Sequence, residues 1–314
     1  MEQTILSIKE NIGRVMIGKE EVTELILSAF LAGGHVLLED MPGTGKTVLA
    51  RALAKSMDCA FGRIQFTPDL LPGDVTGINY FHQEKGHFVF REGPVFTNIL
   101  LADEINRATP RTQSALLESM AEGQVTVDGA TRSLEEPFFV IATENPVETY
   151  GCFPLPEAQL DRFLMKLGMG ALSAEEERRM LDRFMTERPL EKLEPIVTKE
   201  QVKALRRQCR EIFVHEDLRD YIVALVQKTR STGQGNGPRE GVSPRGTLAL
   251  LRAAQGYAMV KDRDFVAPED IMAVAVPVLA HRLIREEDSS LQKEKRIRSL
   301  LDTVPVPTEN WRRS

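Results

Sequence analysis

Residues 36–57 have the types and spacing needed to bind a phosphorylated ligand. The turn Pro42-Gly43-Thr44-Gly45 follows the apolar run Val36-Leu37-Leu38 and precedes a predicted helix from Lys46 to Met57. Backbone N–H groups in such a turn, together with the N-terminus of the helix, attract a di- or triphosphate. The spacing predicts that Lys46 reaches the β- and γ-phosphates and that the Thr47 hydroxyl ligates Mg²⁺.

The phosphate-binding pattern G-x-x-x-x-G-K-[ST] is incomplete, because Asp40 occupies the position of its first glycine. The alternative is a chance Gly-Lys-Thr in an ordinary turn between a strand and a helix. An apolar strand, a glycine-rich turn and a helix in this order are the context that the pattern requires. This order favours phosphate binding over the ordinary turn.

Two adjacent carboxylates, Asp103 and Glu104, follow the apolar segment 98–102. Ligands bind at the carboxyl ends of strands in open parallel sheets, and successive side chains of a strand point to opposite sides. Asp103 can therefore contact Mg²⁺ directly or through water, while Glu104 orients and polarises an attacking water as general base. An isolated acidic pair could instead cap a helix or face solvent.

Asn145 follows another apolar segment, residues 138–143. At the tip of a strand its side chain can hydrogen-bond a γ-phosphate or the attacking water. Asn145-Pro146 could equally form a plain turn, because both residues are common in turns.

Arg245 is the remaining candidate for contact with a phosphate. It comes after a glycine-rich loop at 232–238, and Ser243 and Pro244 predict a helix that begins just before it. The helix dipole disfavours a cation in the first turn, and a nearby phosphate would compensate for that. The alternative is an ordinary surface arginine.

These side chains must be positioned by strands that alternate with helices, a pattern that predicts a doubly wound parallel sheet of five strands. Two β-hairpins are predicted as insertions, at 79–90 and 124–134. The first is either a solvent-side excursion or a mobile loop that grips a partner. We assign residues 1–170 to this α/β core and residues 171–314, where the pattern becomes helical, to an all-α domain.

Composition limits the function classes. The net charge of −6 and the pI near 5.6 argue against a dedicated nucleic-acid surface, which would be basic. The three cysteines lack metal-ligand spacing and fit a reducing compartment, so we expect a cytoplasmic protein. The start of the chain does not read as a secretory signal. The longest apolar run, 271–280, is about half of the ~20 residues that a membrane span needs.

With these motifs in hand, the chain resembles MoxR-type AAA+ ATPases over nearly its whole length. Segment 38–47 is similar to the phosphate loop of that family, including the acidic residue at position 40, and segment 66–77 resembles its insert within helix 2. Segments 101–108, 143–146, 155–163 and 241–245 resemble its Walker B, sensor 1, arginine-finger and sensor 2 regions. The resemblance therefore implies an AAA+ core with β-hairpin inserts, followed by a helical lid.

The resemblance also implies an assembly and a set of roles. It implies a homo-oligomeric ring, usually a hexamer, in which Arg162 acts on the ATP of the neighbouring subunit, and Arg107 is a weaker interface candidate. Catalytic roles fall to Lys46, Glu104, Asn145, Arg162 and Arg245. ATP binding falls to Ile17, Gly18, Pro42, Gly43, Thr44, Gly45, Lys46, Thr47, Val48, Asp103 and Arg245, and Mg²⁺ binding to Thr47 and Asp103.

Three functions are weighed. The favoured one is an Mg²⁺-dependent ATPase that moves the hairpins against a client protein; for such a protein the resemblance implies chaperone-like remodelling or metal-cofactor insertion, with a partner containing a von Willebrand factor A domain. The second is a chelatase-like or nucleic-acid-associated motor, and the acidic pI opposes the nucleic-acid role. The third is a nucleotide-gated scaffold with negligible turnover.

Overall fold

The computed structural model describes residues 2–146, 151–230, 241–284, 289–308 and 311 of the 314-residue chain. The glycine-rich loop expected at 232–238 lies outside the described residues. None of the described helices is long and apolar enough to cross a lipid bilayer.

A five-stranded parallel sheet forms the centre of the first half of the chain, as predicted. The described strands are β1 (Val36–Glu39), β2 (Phe61–Gln65), β3 (Gly77–His82), β4 (His87–Glu92), β5 (Ile99–Asp103), β6 (Gln124–Val127), β7 (Ala130–Ser133), β8 (Phe139–Glu144) and β9 (Met165–Leu167). The sheet order is β2-β5-β8-β1-β9, and all four pairings are parallel. The direction of winding changes at β1, so the crevice at its carboxyl end is the expected ligand site.

Helices cover both faces of the sheet and make up the second half of the chain. They are α1 (Glu2–Gly13), α2 (Glu20–Leu31), α3 (Lys46–Ser56), α4 (Pro72–Thr76), α5 (Pro110–Glu122), α6 (Glu157–Leu160), α7 (Ala174–Thr186), α8 (Lys199–Arg210), α9 (Glu216–Arg230), α10 (Pro244–Val260), α11 (Pro268–Leu279) and α12 (Ser290–Thr303). Residues 2–34 hold two helices, because a break at 14–19 separates α1 from α2.

The central strands are buried because they have helices on both sides. Every residue of β5 except Asp103, and every residue of β8 except Glu144, is buried, as expected for an unbroken apolar strand. One apolar cluster joins α1, α2 and α3 to the C-terminal helices. The second cluster lies on the other face and contains α5 and the start of the β6–β7 hairpin.

The helices α2 and α10, one from each half of the chain, are in close contact. A Cβ atom at Gly256 would collide with the carbonyl oxygen of Ser28, so only glycine fits at this position. The helices themselves therefore pack at very short range.

Both predicted hairpins are present, as β3–β4 and β6–β7. The Asn79 side chain of one donates to the Asp128 carboxylate of the other at 2.8 Å. The Arg132 guanidinium lies 3.8 Å from the ring centroid of Phe90, a favourable cation–π geometry. The two insertions therefore contact each other.

Several helices begin at a serine or threonine, and these N-cap residues differ in whether the side chain makes a capping hydrogen bond. Capping boxes form at Ser173 and Thr198, the N-cap residues of α7 and α8. Thr109 and Ser243 occupy the N-cap positions of α5 and α10, but neither side chain makes a capping hydrogen bond. The Thr109 hydroxyl instead lies 3.3 Å from that of Thr112.

Candidate functional site

The turn between β1 and α3 has the conformation of an anion-binding loop. Gly43 and Gly45 have φ values of 86° and 91°, in the left-handed region that glycine tolerates. Gly45 is the N-cap residue of α3, so the unpaired N–H groups of the first helical turn face the end of β1. The Lys46 ammonium donates to the Asp40 carbonyl oxygen at 2.9 Å.

Asp40 has a structural role at the position where the phosphate-binding pattern has its first glycine. One carboxylate oxygen accepts the N–H of Met41 at 2.8 Å, and the other accepts the N–H of Met169 at 3.0 Å. Asp40 thus connects the loop to the segment that leaves β9. Sequence reasoning did not find this connection, because it joins residues 129 positions apart.

Asp103 and Glu104 lie at the carboxyl end of β5 and are connected through Thr143 of β8. The Thr143 hydroxyl donates to Asp103 Oδ1 at 2.7 Å and accepts the N–H of Glu104 at 2.8 Å. Glu104 has φ 57° and ψ 50°, a left-handed conformation that is unusual for a residue with a side chain. Strain of this kind is common at functional sites, and here it turns the chain immediately after the strand.

The edge strand β2 supplies two partners for these carboxylates that sequence reasoning missed. Arg63 donates to Asp103 Oδ2 at 2.8 Å, and Gln65 donates to Glu104 Oε2 at 2.8 Å. Residues two apart on a strand lie on one face. The signal available in the sequence was the alternation of Arg63 and Gln65, two polar residues on a strand of the predicted sheet. Arg107 also reaches Glu104, at 3.2 Å.

A cavity of about 400 Å³ brings most of the predicted phosphate-handling residues together. It is lined by the predicted residues Pro42, Gly43, Gly45, Lys46, Thr47, Val48, Asp103, Glu104 and Asn145, and by Asp40, Arg63, Gln65 and Thr143. Asn145 is buried, with 7% of its surface exposed. The structure therefore brings nine of the predicted residues together in one cavity.

Thr47 and Asp103, the two residues predicted to bind Mg²⁺, line this same cavity. Mg²⁺ typically takes one or two protein oxygens and completes its shell with phosphate oxygens and water, so the donor set fits. Among the described residues, no group of three or more His, Cys, Asp or Glu side chains could hold a metal. A metal here would thus depend on the phosphates for part of its coordination.

A second cavity, of about 370 Å³, adjoins the first and shares Asp40, Gly43, Gly45 and Val48 with it. Most of its exposed lining is apolar, which suits the faces of a purine. Its other lining residues are Val15, Met16, Ile17, Lys19, Met41, Thr44, Gly170, Ala171, Leu172, Glu177, Met180 and Phe184. The predicted residues Ile17 and Thr44 are therefore part of this wall.

Gly18 is next to this wall but does not line it. Its φ is 65°, and a Cβ atom there would collide with the Glu176 carboxylate at the start of α7. The neighbouring Lys19 ammonium donates to the carbonyl oxygens of Gly170 and Ala171 at 2.8 and 3.1 Å. Gly18 and Lys19 thus hold the turn between α1 and α2 against the segment after β9.

Arg162 and Arg245 lie together, but on the opposite edge of the sheet from the phosphate loop. They line a third cavity, of about 370 Å³, with Gly33, Gly34, His35, Met120, Ala121, Asp161, Leu164, Leu248, Ala249, Arg252 and Arg282. Residues 33–35 precede β1, whereas the phosphate loop follows it, and four strand residues span roughly 13 Å. The expectation that Arg245 joins the nucleotide residues is not met within one chain, because α10 begins at the amino edge of the sheet.

His35 anchors this amino edge. Its Nδ1 accepts the N–H of Val140 at 3.0 Å, and its Nε2 lies 3.1 Å from the Met120 carbonyl oxygen. Burial lowers the pKa of His35 to about 4, so the ring is neutral at pH 7. These contacts give the ring a structural role. Burial also raises the pKa of the Glu144 carboxyl at the opposite edge.

Comparison with known proteins agrees with this geometry. The model of the ATPase family associated with various cellular activities matches residues 35–165, and the AAA lid domain matches residues 239–300. Chaperone MoxR1 from Mycobacterium tuberculosis is 40% identical over 99% of this chain and 83% of its own length. The chain belongs to the MoxR family of AAA+ ATPases.

Other relatives agree with this assignment. An uncharacterized Bacillus subtilis protein, YeaC, is 50% identical over 96% of this chain and 94% of its own length. The crystal structure of a candidate ATPase from Cytophaga hutchinsonii superposes with a TM-score of 0.88 at 38% identity and covers 98% of both chains. A magnesium-chelatase subunit from Nicotiana tabacum is more distant, with 31% identity over 62% of this MoxR-family chain and 44% of the subunit.

Proposed function

We propose that this MoxR-family protein hydrolyses ATP with Mg²⁺ in a ring of identical chains, usually six, in which each chain completes the reaction centre of its neighbour. The observation that carries the proposal is the position of Arg162 and Arg245 on the edge of the sheet opposite the phosphate loop. A head-to-tail arrangement of chains, which closes into a ring, would bring the arginine cavity of one copy to the phosphate cavity of the next.

Each residue then has a defined role. The loop N–H groups and Lys46 would bind the phosphates. Thr47 and Asp103 would hold a magnesium ion, which when bound would supply positive charge to the phosphate oxygens. Glu104 orients the attacking water and accepts its proton, and Gln65 holds the Glu104 carboxylate in place. Asn145 positions the water or the γ-phosphate. Arg162 and Arg245 of the adjacent copy stabilise the transition state.

The proposal is tested by mixing two inactive variants. Glu104→Gln removes the base and Arg162→Ala removes the arginine. Each alone should bind ATP and release little phosphate. A mixture should regain activity, because about a quarter of randomly formed head-to-tail interfaces pair an intact base with an intact arginine. Lys46→Ala, which weakens nucleotide binding, serves as the control that does not complement Glu104→Gln.

The outcomes separate catalysis between chains from a nucleotide-gated scaffold. Activity in the mixture supports catalysis between chains. Full turnover by Arg162→Ala alone, or by Glu104→Gln alone, would contradict the corresponding role. Absence of phosphate release by the wild-type protein at any concentration would favour the alternative of a nucleotide-gated scaffold.

We further propose that the ATPase cycle acts on a client protein through the two hairpins. Phe81 and Phe88 are 53% and 69% exposed, and their ring centroids lie 5.5 Å apart across the β3–β4 hairpin. Exposed aromatic pairs are typical of contact surfaces. A relative named Chaperone MoxR1 supports chaperone-like remodelling. We extend the proposal to metal-cofactor insertion as the alternative activity, to a cytoplasmic location and to a partner containing a von Willebrand factor A domain.

The distant likeness to a chelatase subunit keeps a chelatase-like role as the second candidate. Replacing both Phe81 and Phe88 by serine should leave the basal ATPase rate unchanged and abolish any stimulation by a client. Addition of DNA at several salt concentrations should not stimulate the wild-type protein, since its net charge is −6. Stimulation by DNA would favour a nucleic-acid motor.

A further inference from the structure

Arg282 is a buried cation at the junction of the helical region and the sheet. It ends a 3₁₀ turn, Ala280–Arg282, that continues from α11, and only 6% of its surface is exposed. Burial lowers the pKa of Arg282 to about 10, while Asp161 opposes that shift. A buried charge is costly unless it is paired and hydrogen-bonded, so the contacts that satisfy this guanidinium are informative.

Those contacts surround Arg162. Arg282 Nε donates to Asp161 Oδ1 at 2.7 Å, and Nη2 donates to the carbonyl oxygens of Asp161 and Phe163 at 3.1 and 2.5 Å. Nη1 donates to the Leu164 carbonyl at 3.0 Å. The guanidinium therefore binds the backbone on both sides of Arg162.

The same segment is held from two other sides. The second oxygen of the Asp161 carboxylate, Oδ2, lies 3.5 Å from Arg245 Nη1. One carboxylate therefore orients both Arg245 and Arg282. The Arg162 side chain donates to the Leu117 carbonyl of α5 at 3.0 Å. Asp161 thus connects the segment that carries Arg162 to two helices of the C-terminal half, α10 and α11.

We infer that Arg282 is a positioning residue: it fixes the segment 161–164 to the end of α11, so that the helical region sets where Arg162 meets the nucleotide of the neighbouring chain. This inference rests on the proposed function of Arg162. It assigns the helical region of each chain a direct influence on its neighbour's reaction centre, in addition to any influence on its own.

The test uses Arg282→Lys, which keeps the charge but loses the fork of donors that reaches several carbonyl oxygens at once. We expect kcat to fall about 10- to 100-fold, because a displacement near 1 Å at a reaction centre has effects of that size. The KM for ATP and the affinity for a fluorescent ATP analogue should change less than about twofold, since Arg282 lies far from the phosphate loop. Mixing with Glu104→Gln chains, which carry an intact Arg282, should restore turnover.

The matched control is Arg263→Lys. Arg263 pairs with the buried Asp270 carboxylate on α11, so the same chemical change is made at another ion pair of the helical region, one in which only the carboxylate is fully buried. Its kcat should stay at the wild-type value. Thermal unfolding should show that both variants are folded. Asp161→Asn, which keeps the shape and removes the shared charge, should reproduce the kcat defect and its rescue if Arg282→Lys does not fold.

The outcomes separate the inference from the function on which it rests. If Arg162→Ala is impaired but folded Arg282→Lys and Asp161→Asn turn over at the wild-type rate, the positioning role is wrong and the proposed function stands. If the Arg282→Lys defect is not rescued by Glu104→Gln chains while that of Arg162→Ala is, the positioning role is also wrong. If Arg162→Ala itself is fully active, the proposed function fails.

Discussion

The two edges of the parallel sheet differ in how their charges are compensated. At the carboxyl edge, each acidic group of the candidate reaction centre has a partner from its own chain: Arg63 for Asp103, and Gln65 and Arg107 for Glu104. At the amino edge, the cavity is lined by four arginines and one aspartate, and that aspartate already pairs with Arg282.

This difference indicates which edge requires an external anion. Excess positive charge in a cavity focuses the field and attracts negative charge from outside. The carboxyl edge can bind a magnesium–nucleotide complex with residues of one chain, whereas the amino edge presents cations without a phosphate loop beside them. The comparison therefore favours two half-sites that become one catalytic unit only between copies.

The largest expected effect tests the amino edge. Arg162→Ala should lower kcat by about 10³-fold or more, as expected for an arginine that stabilises transferred phosphate from a neighbouring chain. Nucleotide affinity should be unchanged, because no residue of the phosphate loop lines the same cavity. Steady-state kinetics together with equilibrium binding of a labelled nucleotide measure both quantities.

Arg252→Ala is the control for this prediction, since Arg252 lines the same cavity but has no assigned catalytic role. It should change kcat only slightly. A strong loss of nucleotide binding in Arg162→Ala would mean that the arginine serves its own chain, and the contrast between the edges would then disappear.

The second effect is a pH-dependent change in the free energy of unfolding, which arises from His35 at the amino edge. Its pKa is about 4 in the folded chain and near 6.5 when unfolded, so folding favours the neutral ring. The contribution to stability is full above pH 6.5 and is lost as the pH falls towards 4. Between pH 7 and pH 5 the loss should be about 2 kcal/mol.

Chemical denaturation at the two pH values measures this loss. His35→Asn, which cannot titrate in this range, should be less stable at pH 7 but should lose about 2 kcal/mol less than the wild type on acidification. Equal losses in the two proteins would show that other groups, such as the buried His281, dominate the acid response.

The third effect tests the carboxyl edge. Gln65→Ala should reduce kcat about tenfold, because a hydrogen bond to a charged group contributes on the order of 1.5 kcal/mol and here orients the base Glu104. The KM for ATP should change little. Gln208→Ala, on the exposed side of α8, is the control. A change confined to KM would assign Gln65 to nucleotide binding instead of orientation of the base.

The smallest effect tests the acidic residue of the phosphate loop. Asp40→Asn keeps the shape of the side chain but leaves one acceptor oxygen for the two N–H groups of Met41 and Met169. Stability should fall by about 1 kcal/mol and nucleotide affinity severalfold. Asp58→Asn, at a turn remote from the loop, is the control. Unchanged affinity would show that the link to residue 169 is not used in nucleotide binding.

The sequence predicted what depends on local pattern. The strand–turn–helix at 36–57, both hairpins and the acidic pair after β5 were found because each is encoded within a short stretch with a recognisable period or turn. Arg63, Gln65 and the second partner of Asp40 were missed, since their roles arise only from strand order and from contacts across the fold. For the same reason, the place of Arg245 in the fold was not predicted: a motif predicts a helix start, but not the edge of the sheet at which that helix begins.

The close approach of α2 to α10 has a mechanical consequence. With the backbone of Ser28 touching position 256, no side chain lies between the two helices at this point that could slide or reorganise. A torque applied to the C-terminal helices would therefore pass into α2 with little loss, and any hinge must be sought elsewhere, for example in the stretch around residue 170. The helix that immediately precedes the first strand thus belongs mechanically with elements more than 200 residues later in the chain.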